Sequence, residues 1–212
     1  MAIVCNGCGA YIQPLANVDH QSVRCPHCAH DEPMQILPLF IVTGASGVGK
    51  TAIVPELRRL LPDWAIFETD VMHAADWQQQ RSNWLRVAHA IAQSGRYTIL
   101  CGTMLPADID QCDYRPFFSQ IYYLNLHCDD ETRAARLRAR PTWRGCDEAF
   151  IEKHRQFAQW LLDQATTAFD PPLVTVDTTH RSTQAVAAQI RVWALDHVTA
   201  NQRKRCECQT KR

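Results

Sequence analysis

The sequence predicts an α/β fold: one five-stranded parallel sheet flanked by helices, preceded by a small module built around four cysteines. Three observations predict it. From about residue 37 onward, short β-branched or aromatic runs alternate with stretches of helical period, the pattern of strands joined by crossover helices. The first of these runs leads into the glycine-rich octapeptide Gly44-Ala45-Ser46-Gly47-Val48-Gly49-Lys50-Thr51. Two Cys-x-x-Cys pairs occupy the first 36 residues. A chain of 212 residues is long enough for one packed domain and a small appendage.

The cysteine-rich opening comes first. Cys5-Asn6-Gly7-Cys8 and Cys25-Pro26-His27-Cys28 are separated by 16 residues, close to the spacing of a four-cysteine structural zinc site. Residues 1–36 therefore read as a zinc ribbon with Cys5, Cys8, Cys25 and Cys28 as ligands of a structural Zn²⁺. His27 and His30 are alternative ligands, and iron is an alternative metal. A segment this short buries too little apolar area to fold alone, so the metal would supply the folding energy. Four sulfurs close the coordination shell, and no catalysis by this metal is expected. Cys101, Cys112, Cys128 and Cys146 have no ligand spacing and read as buried or loop residues.

Five strands follow, at Leu39–Thr43, Ala65–Glu68, Tyr97–Cys101, Ile121–Leu126 and Leu173–Val176. Between them, Trp77, Trp84, Leu85, Ala88, Ile91 and Ala92 share one helical face. Asp129 or Asp130 can cap a helix over Thr132–Arg140 that must stop at Pro141. Asp147 can cap another, carrying Phe150, His154, Phe157 and Leu161 inward, and Ser182 begins the last, with Val186, Ile190, Trp193 and Val198 inward. Pro55 lies six residues after Gly49, where its ring predicts a kink or a displaced first helix. The organisation is thus 1–36, a zinc ribbon; 37–200, the sheet domain; and 201–212, a basic tail expected to be disordered.

Charge and hydropathy narrow the partners. The 22 Lys+Arg balance 22 Asp+Glu, but residues 1–36 set Arg24 alone against Asp19, Asp31 and Glu32, whereas Arg203, Lys204, Arg205, Lys211 and Arg212 face only Glu207 in the tail. Nucleic-acid contact by the ribbon is not favoured, because it needs clustered Lys and Arg. No run of about 18 apolar residues occurs, and Met1–Cys5 lacks a basic stretch followed by an apolar one, so neither a membrane span nor a secretion signal is expected. The reading is a cytoplasmic protein, in whose reducing surroundings ten cysteines serve metal ligation or packing instead of disulfides.

The octapeptide fits G-x4-G-K-[ST] between an apolar strand and a helical stretch, the context that motif requires. Backbone N–H groups of Gly44, Ala45, Ser46, Gly47, Val48, Gly49, Lys50 and Thr51 would wrap ATP phosphates, and the helix that follows aims its positive end at the same anion. Lys50 would serve the β- and γ-phosphates, and the Thr51 hydroxyl would ligate Mg²⁺. There is no Asn-Lys-x-Asp guanine-reading motif. The strand Tyr97–Cys101 ends at Gly102-Thr103 with no carboxylate, which disfavours ATPase machines.

With these motifs the chain resembles the small P-loop kinases, the group containing shikimate, gluconate, adenylate and nucleoside kinases and chloramphenicol phosphotransferase. The resemblance spans about residues 37–198 and implies the P-loop NTPase fold with its five-stranded parallel sheet. It also implies an acid at the end of the second strand facing the acceptor, which maps onto Phe67-Glu68-Thr69-Asp70. Side chains two apart on a strand share a face, so Glu68 and Asp70 would both reach the site if the strand extends that far. Asp70 is the base or acceptor-orienting group, and Glu68 helps through a Mg²⁺-bound water or a substrate hydroxyl.

Adenylate-kinase-like proteins carry Arg-apolar-x-x-Arg entering a lid, matched here by Arg136-Leu137-Arg138-Ala139-Arg140. By that resemblance Arg136 stacks on adenine and Arg140 approaches the transferring phosphate, with Arg144 in the short lid Pro141–Gly145 a second source of positive charge. The acceptor pocket is expected among Met72, Trp77, Gln80, Arg81, Trp84, Gly102 and Thr103, with Arg81, Gly102 and Thr103 as substrate contacts and Trp84 as core. The function expected is transfer of the ATP γ-phosphate to a small hydroxylated acceptor, foremost a nucleoside or nucleotide. A kinase or ATPase that uses ribbon and tail on nucleic acid, and a regulatory ATP-binding module, are the alternatives.

Overall fold

The computed structural model describes residues 3–74 and 76–210, with only the backbone described for 201–210. The cysteine module consists of two small antiparallel sheets. One pairs β1 (Ile3–Val4) with β2 (Tyr11–Ile12); the other orders β3 (Leu15–Asn17), β4 (Ser22–Arg24) and β5 (Asp31–Pro33) as a meander. Each Cys-x-x-Cys pair forms the turn of a hairpin, Cys5–Cys8 between β1 and β2 and Cys25–Cys28 between β4 and β5. The two turns repeat one another. Cys5 N–H donates to the Ala10 carbonyl (2.9 Å) and Gly9 N–H to the Cys5 carbonyl (2.8 Å), while Cys25 N–H donates to His30 (2.9 Å) and Ala29 N–H to Cys25 (3.0 Å). The residue after each second cysteine has positive φ, 71° at Gly9 and 58° at Ala29.

In the larger region the chain alternates β6 (Leu39–Thr43), α1 (Lys50–Leu60), β7 (Ala65–Glu68), α2 (Trp77–Ala92), β8 (Thr98–Cys101), α3 (Pro106–Ile109), β9 (Ile121–His127), α4 (Asp130–Arg138), α5 (Glu148–Asp163), β10 (Val174–Asp177) and α6 (Thr183–Thr210). The five long strands form one parallel sheet in the order β7-β8-β6-β9-β10, so the first of them, β6, lies at the centre. Both faces of β6 are covered. Phe40 and Val42 join Ile53, Leu57, Val186 and Ile190 on the side of α1 and α6. Leu39 and Ile41 point the other way, into Trp84, Leu85, Ile109 and Leu161 from α2, α3 and α5. A strand buried on both faces reads as a continuous apolar run, which is why Leu39–Val42 shows no alternation.

Three helix starts follow the predicted caps at Asp129, Asp147 and Ser182, and the structure adds a fourth at Asp76. Asp76 accepts from Gln79 N–H (2.7 Å), Asp129 from Thr132 N–H (2.6 Å), Asp147 from Phe150 N–H (2.8 Å) and the Ser182 hydroxyl from Ala185 N–H (3.2 Å), each satisfying a first-turn donor. The fourth helix begins and ends two residues earlier than expected, and Arg140 lies beyond it, because the residue before a proline is disfavoured in the α region. Pro55 neither breaks nor displaces the first helix: α1 runs unbroken through it, and the proline removes only the N–H that would have reached Thr51. Trp77 also departs from expectation. It is 67% exposed at the first turn of α2 and stacks against Arg81. The backbone of α6 continues through 201–210, where the sequence predicts a disordered tail; the tail's side chains, Cys206 and Cys208 among them, lie outside the described residues. No helix among the described residues is long and apolar enough to cross a membrane.

Candidate functional site

The octapeptide lies where β6 hands over to α1, at the carboxyl end of the sheet. Gly47 has φ +89° and sits against Arg133 and Leu137; a Cβ there would come within 3.1 Å of both side chains. Only glycine meets both demands. Arg133 is the floor of the loop: 1% exposed, it donates to the Cys128 carbonyl (3.2 Å) and pairs with Asp130. Lys50 folds back along the loop, donating to the Gly44 carbonyl and, at 2.9 Å, to the Ala45 carbonyl. Burial, reinforced by the like charge of Arg140 and offset by Asp70, lowers its pKa to about 8. An anion entering the loop would relieve that penalty, since it supplies the opposite charge that the buried ammonium lacks.

Around the loop, one cavity of about 260 Å³ is lined by Ser46, Gly47, Lys50, Thr51, Asp70, Arg136, Arg140 and Arg144, among others. Residues from the loop, the segment after β7, the end of α4 and the turn beyond it thus converge. Glu68 stands beside them, accepting a hydrogen bond from the Thr51 hydroxyl. Glu68 and Asp70 do not share a strand face. The strand stops at Glu68, and Asp70 projects from a 3-10 turn, Thr69–Val71. The turn delivers Asp70 to the cavity, and Glu68, the last residue of the strand, reaches the loop through Thr51. Hydroxyl and carboxylate oxygens at Thr51 and Glu68 are the hard donors that Mg²⁺ requires.

A second cavity, about 240 Å³, is lined by Val48, Gly49, Ile53, Arg136, Thr178, Arg181 and Val186, among others. Gly49, Ala52 and Arg136 line both, and Arg136 is the charged wall between them. It is anchored by bonds to the Gly47 carbonyl (3.3 Å), the Thr178 hydroxyl (3.4 Å) and the Thr178 carbonyl (3.2 Å), which tie the loop to the turn after β10. Beyond Arg140, the turn Thr142–Arg144 carries Trp143, 77% exposed, with the Arg144 guanidinium 5.1 Å from its ring centre. Arg138 and Glu148 clamp the ends of this excursion with two bonds of 2.8 Å.

Three predicted substrate contacts stand elsewhere. Arg81 is held by Asp108 at 3.0 Å. Gly102 is buried against Thr69, whose side chain occupies the space a Cβ would need, so its smallness serves packing. Thr103 donates to the Gly44 carbonyl (3.2 Å) and so braces the loop. Gln80 spends its amide on the Thr69 and Met72 carbonyls, and Trp84 is core, donating to the Thr69 carbonyl (3.0 Å). The resemblance places the segment Val176-Asp177-Thr178-Thr179 beside the nucleotide base without a side-chain role, and the structure gives the Thr178 side chain one, as an anchor of Arg136. Sequence reasoning missed Arg181 and His154: Arg181 follows a strand end with no motif of its own, and His154 falls on the apolar period of α5, where the pattern reads it as core.

In the N-terminal module the four sulfurs of Cys5, Cys8, Cys25 and Cys28 lie within 4.8 Å of one another. Cys5 and Cys28 are 3.7 Å apart and Cys8 and Cys25 3.9 Å. A tetrahedron with metal–sulfur bonds of about 2.3 Å has edges of about 3.8 Å. Backbone N–H groups of Gly7 (3.3 Å) and His27 (3.4 Å) point at the Cys5 and Cys25 sulfurs, as thiolate charge invites. His27 and His30 do not join the cluster.

No protein-family model matches the chain, and no curated protein matches its sequence. Solved structures do resemble it. A sugar kinase from Janibacter sp. HTCC2649 superposes with a TM-score of 0.52 at 17% identity, covering 75% of this chain and 94% of its own. A candidate kinase from Chloroflexus aurantiacus j-10-fl superposes with a TM-score of 0.50 at 20% identity over 77% of this chain and 98% of its own. The fold is that of the P-loop kinases. A shikimate kinase from Acinetobacter baumannii, solved with shikimate, is also similar, at 17% identity and a TM-score of 0.49 over 77% of this chain and 96% of its own. Each spans nearly the whole of the neighbouring chain and leaves about a quarter of this one unmatched.

Proposed function

We propose that the chain is a P-loop kinase that transfers the γ-phosphate of ATP to a small hydroxylated acceptor, with a nucleoside or nucleotide as the class. The observation that carries this reading is the single cavity in which Lys50, Thr51, Asp70, Arg136, Arg140 and Arg144 meet. Phosphoryl transfer asks mainly for positioning and for positive charge around the moving group, with one acid to orient the attacking hydroxyl. That cavity supplies three arginines, one lysine and one carboxylate. Mg²⁺, held by Thr51 with Glu68 behind it, would neutralise phosphate charge. Arg136 places its guanidinium between the phosphate cavity and the slot lined by Val48, Ile53 and Val186, which suits an adenine ring. Asp70 accepts and orients the acceptor hydroxyl. Two exposed tryptophans with an arginine against the ring, Trp77 and Trp143, offer stacking surfaces that favour a base-bearing acceptor.

The cysteine cluster is read as a structural Zn²⁺ site of the ribbon, on the sulfur spacing above. A nucleic-acid role gains no support from the module. Its one basic residue, Arg24, is taken by Asp31 through bonds of 2.9 and 2.6 Å.

The test is ADP release from Mg-ATP across nucleosides, nucleoside monophosphates, sugars, shikimate and short RNA 5′ ends, with Lys50→Ala as blank. Stimulation by one small acceptor is expected. Stimulation by RNA alone, or by nothing, would overturn the reading.

A further inference from the structure

The phosphate loop has a partner on a distant helix. Ser46 N–H, within the octapeptide and facing the phosphate cavity, donates to Nδ1 of His154 at 3.2 Å, across 108 positions of sequence. His154 is in the second turn of α5, half-buried, with Phe150 at 4.3 Å and Phe157 at 6.4 Å between ring centres. We infer that His154 is a positioning residue for nucleotide binding: its neutral imidazole fixes the Ser46 peptide, and with it the first turn of the phosphate loop, by accepting that N–H.

The chemistry permits one state of the ring. An imidazole that accepts at Nδ1 must carry its proton on Nε2, and an imidazolium could not accept at all. The surroundings enforce this. Burial first, and then the like charges of Lys50 from α1, Lys153 from α5 itself, Arg133 from α4 and Arg140 from the turn beyond it, lower the histidine's pKa to about 4. The loop therefore keeps one amide committed to the protein and leaves those that follow it free for an anion. Because α5 begins directly after the excursion that carries Arg144, the bond also couples that excursion to the loop, so a phosphate held by both meets a prearranged pair.

The inference rests on the phosphate-loop reading, and the two fail differently. Calorimetry of Mg-ADP binding to the full chain is run for the wild type, Lys50→Ala, His154→Asn and His154→Phe. Asparagine places an oxygen near the Nδ1 position without a titrating ring; phenylalanine keeps the ring and removes the acceptor. The wild type should bind, His154→Phe should bind about tenfold more weakly, as for one lost hydrogen bond, and His154→Asn should recover most of that loss. Wild-type affinity should fall as pH drops toward 4, and His154→Asn should be flatter. Imidazole ¹⁵N shifts of the wild type should report the Nε2–H form, a readout that needs no variant to fold. No nucleotide binding by the wild type would sink the phosphate-loop reading itself. Binding that is equal in wild type and His154→Phe, equal losses in both variants, or an Nδ1–H tautomer would overturn the role of His154.

Discussion

The cysteine module and the sheet domain solve the folding problem by opposite means. The module's buried apolar cluster is Cys5, Ile12 and Cys25, with Ile3 and Ala10 against it, and two of those three buried residues belong to the four-sulfur cluster. The sheet domain has an extensive apolar layer on each face of β6. By the proposed reading, a metal would hold the module's shape, whereas a ligand of the sheet domain would serve only its activity. That difference teaches where to look for function: in the module a metal would be part of the fold, whereas in the sheet domain the charged cavity is added on top of a fold that stands without it.

The sharpest way to break this contrast is to deny the module its proposed metal. Treatment with a strong chelator, or Cys5→Ser with Cys28→Ser, should abolish amide protection in residues 3–33 and leave the parallel sheet protected, as hydrogen exchange would show; unchanged exchange and zinc content near zero in the untreated protein would each refute the zinc assignment. Next in size is Lys50→Ala. Turnover should fall at least about a hundredfold while circular dichroism stays unchanged, and a wild-type rate would remove the loop from the chemistry. Arg140→Ala should lower kcat about tenfold more than it weakens ATP binding, because a group that meets developing charge acts on the barrier; an equal effect on both would make Arg140 a binding residue only.

The smallest effect concerns acid. His89, buried among Tyr114, Phe117 and Phe118, is kept neutral by burial, which lowers its pKa, as burial and nearby cations lower that of His154 to about 4. The unfolded chain takes up these protons near pH 6.5 and the folded chain does so later, so stability is lost as pH falls from about 6.5 toward 4. His89→Leu should reduce that loss and raise Tm near pH 5 by about 2–4 °C relative to its value at pH 8. Parallel melting curves for variant and wild type would show that His89 contributes nothing to the acid response.

Much of this was legible because periodicity and motif pointed the same way. The five parallel strands follow from short β-branched runs, and three helix starts from Asp129, Asp147 and Ser182. Lys50, Thr51, Asp70, Arg136, Arg140 and Arg144 reach one cavity although they span almost a hundred positions. What could not be read depends on which neighbour a side chain finds. Arg81 is drawn off by Asp108, and Gly102 is small because Thr69 fills the space beside it. His154 looks apolar by its period and turns out to hold the loop. Pairings between distant segments leave no trace in local pattern, so a polar residue on an apolar stripe has no visible partner until the chain is folded.

A contact that belongs to neither motif nor cavity links the connector after the module to the sheet domain. Gln35 N–H donates to the side-chain oxygen of Gln93 (3.2 Å), and the Gln93 amide returns a bond to the Gln35 carbonyl (2.9 Å), at the end of α2 and just before β6 begins. In a parallel sheet this is the pole where strands start, and the phosphate cavity lies at the pole where they end, a strand length of about 17 Å away. The molecule therefore has a handle and a working end. A dye or a solid support attached through the N-terminal module would leave the cavity open to the solution.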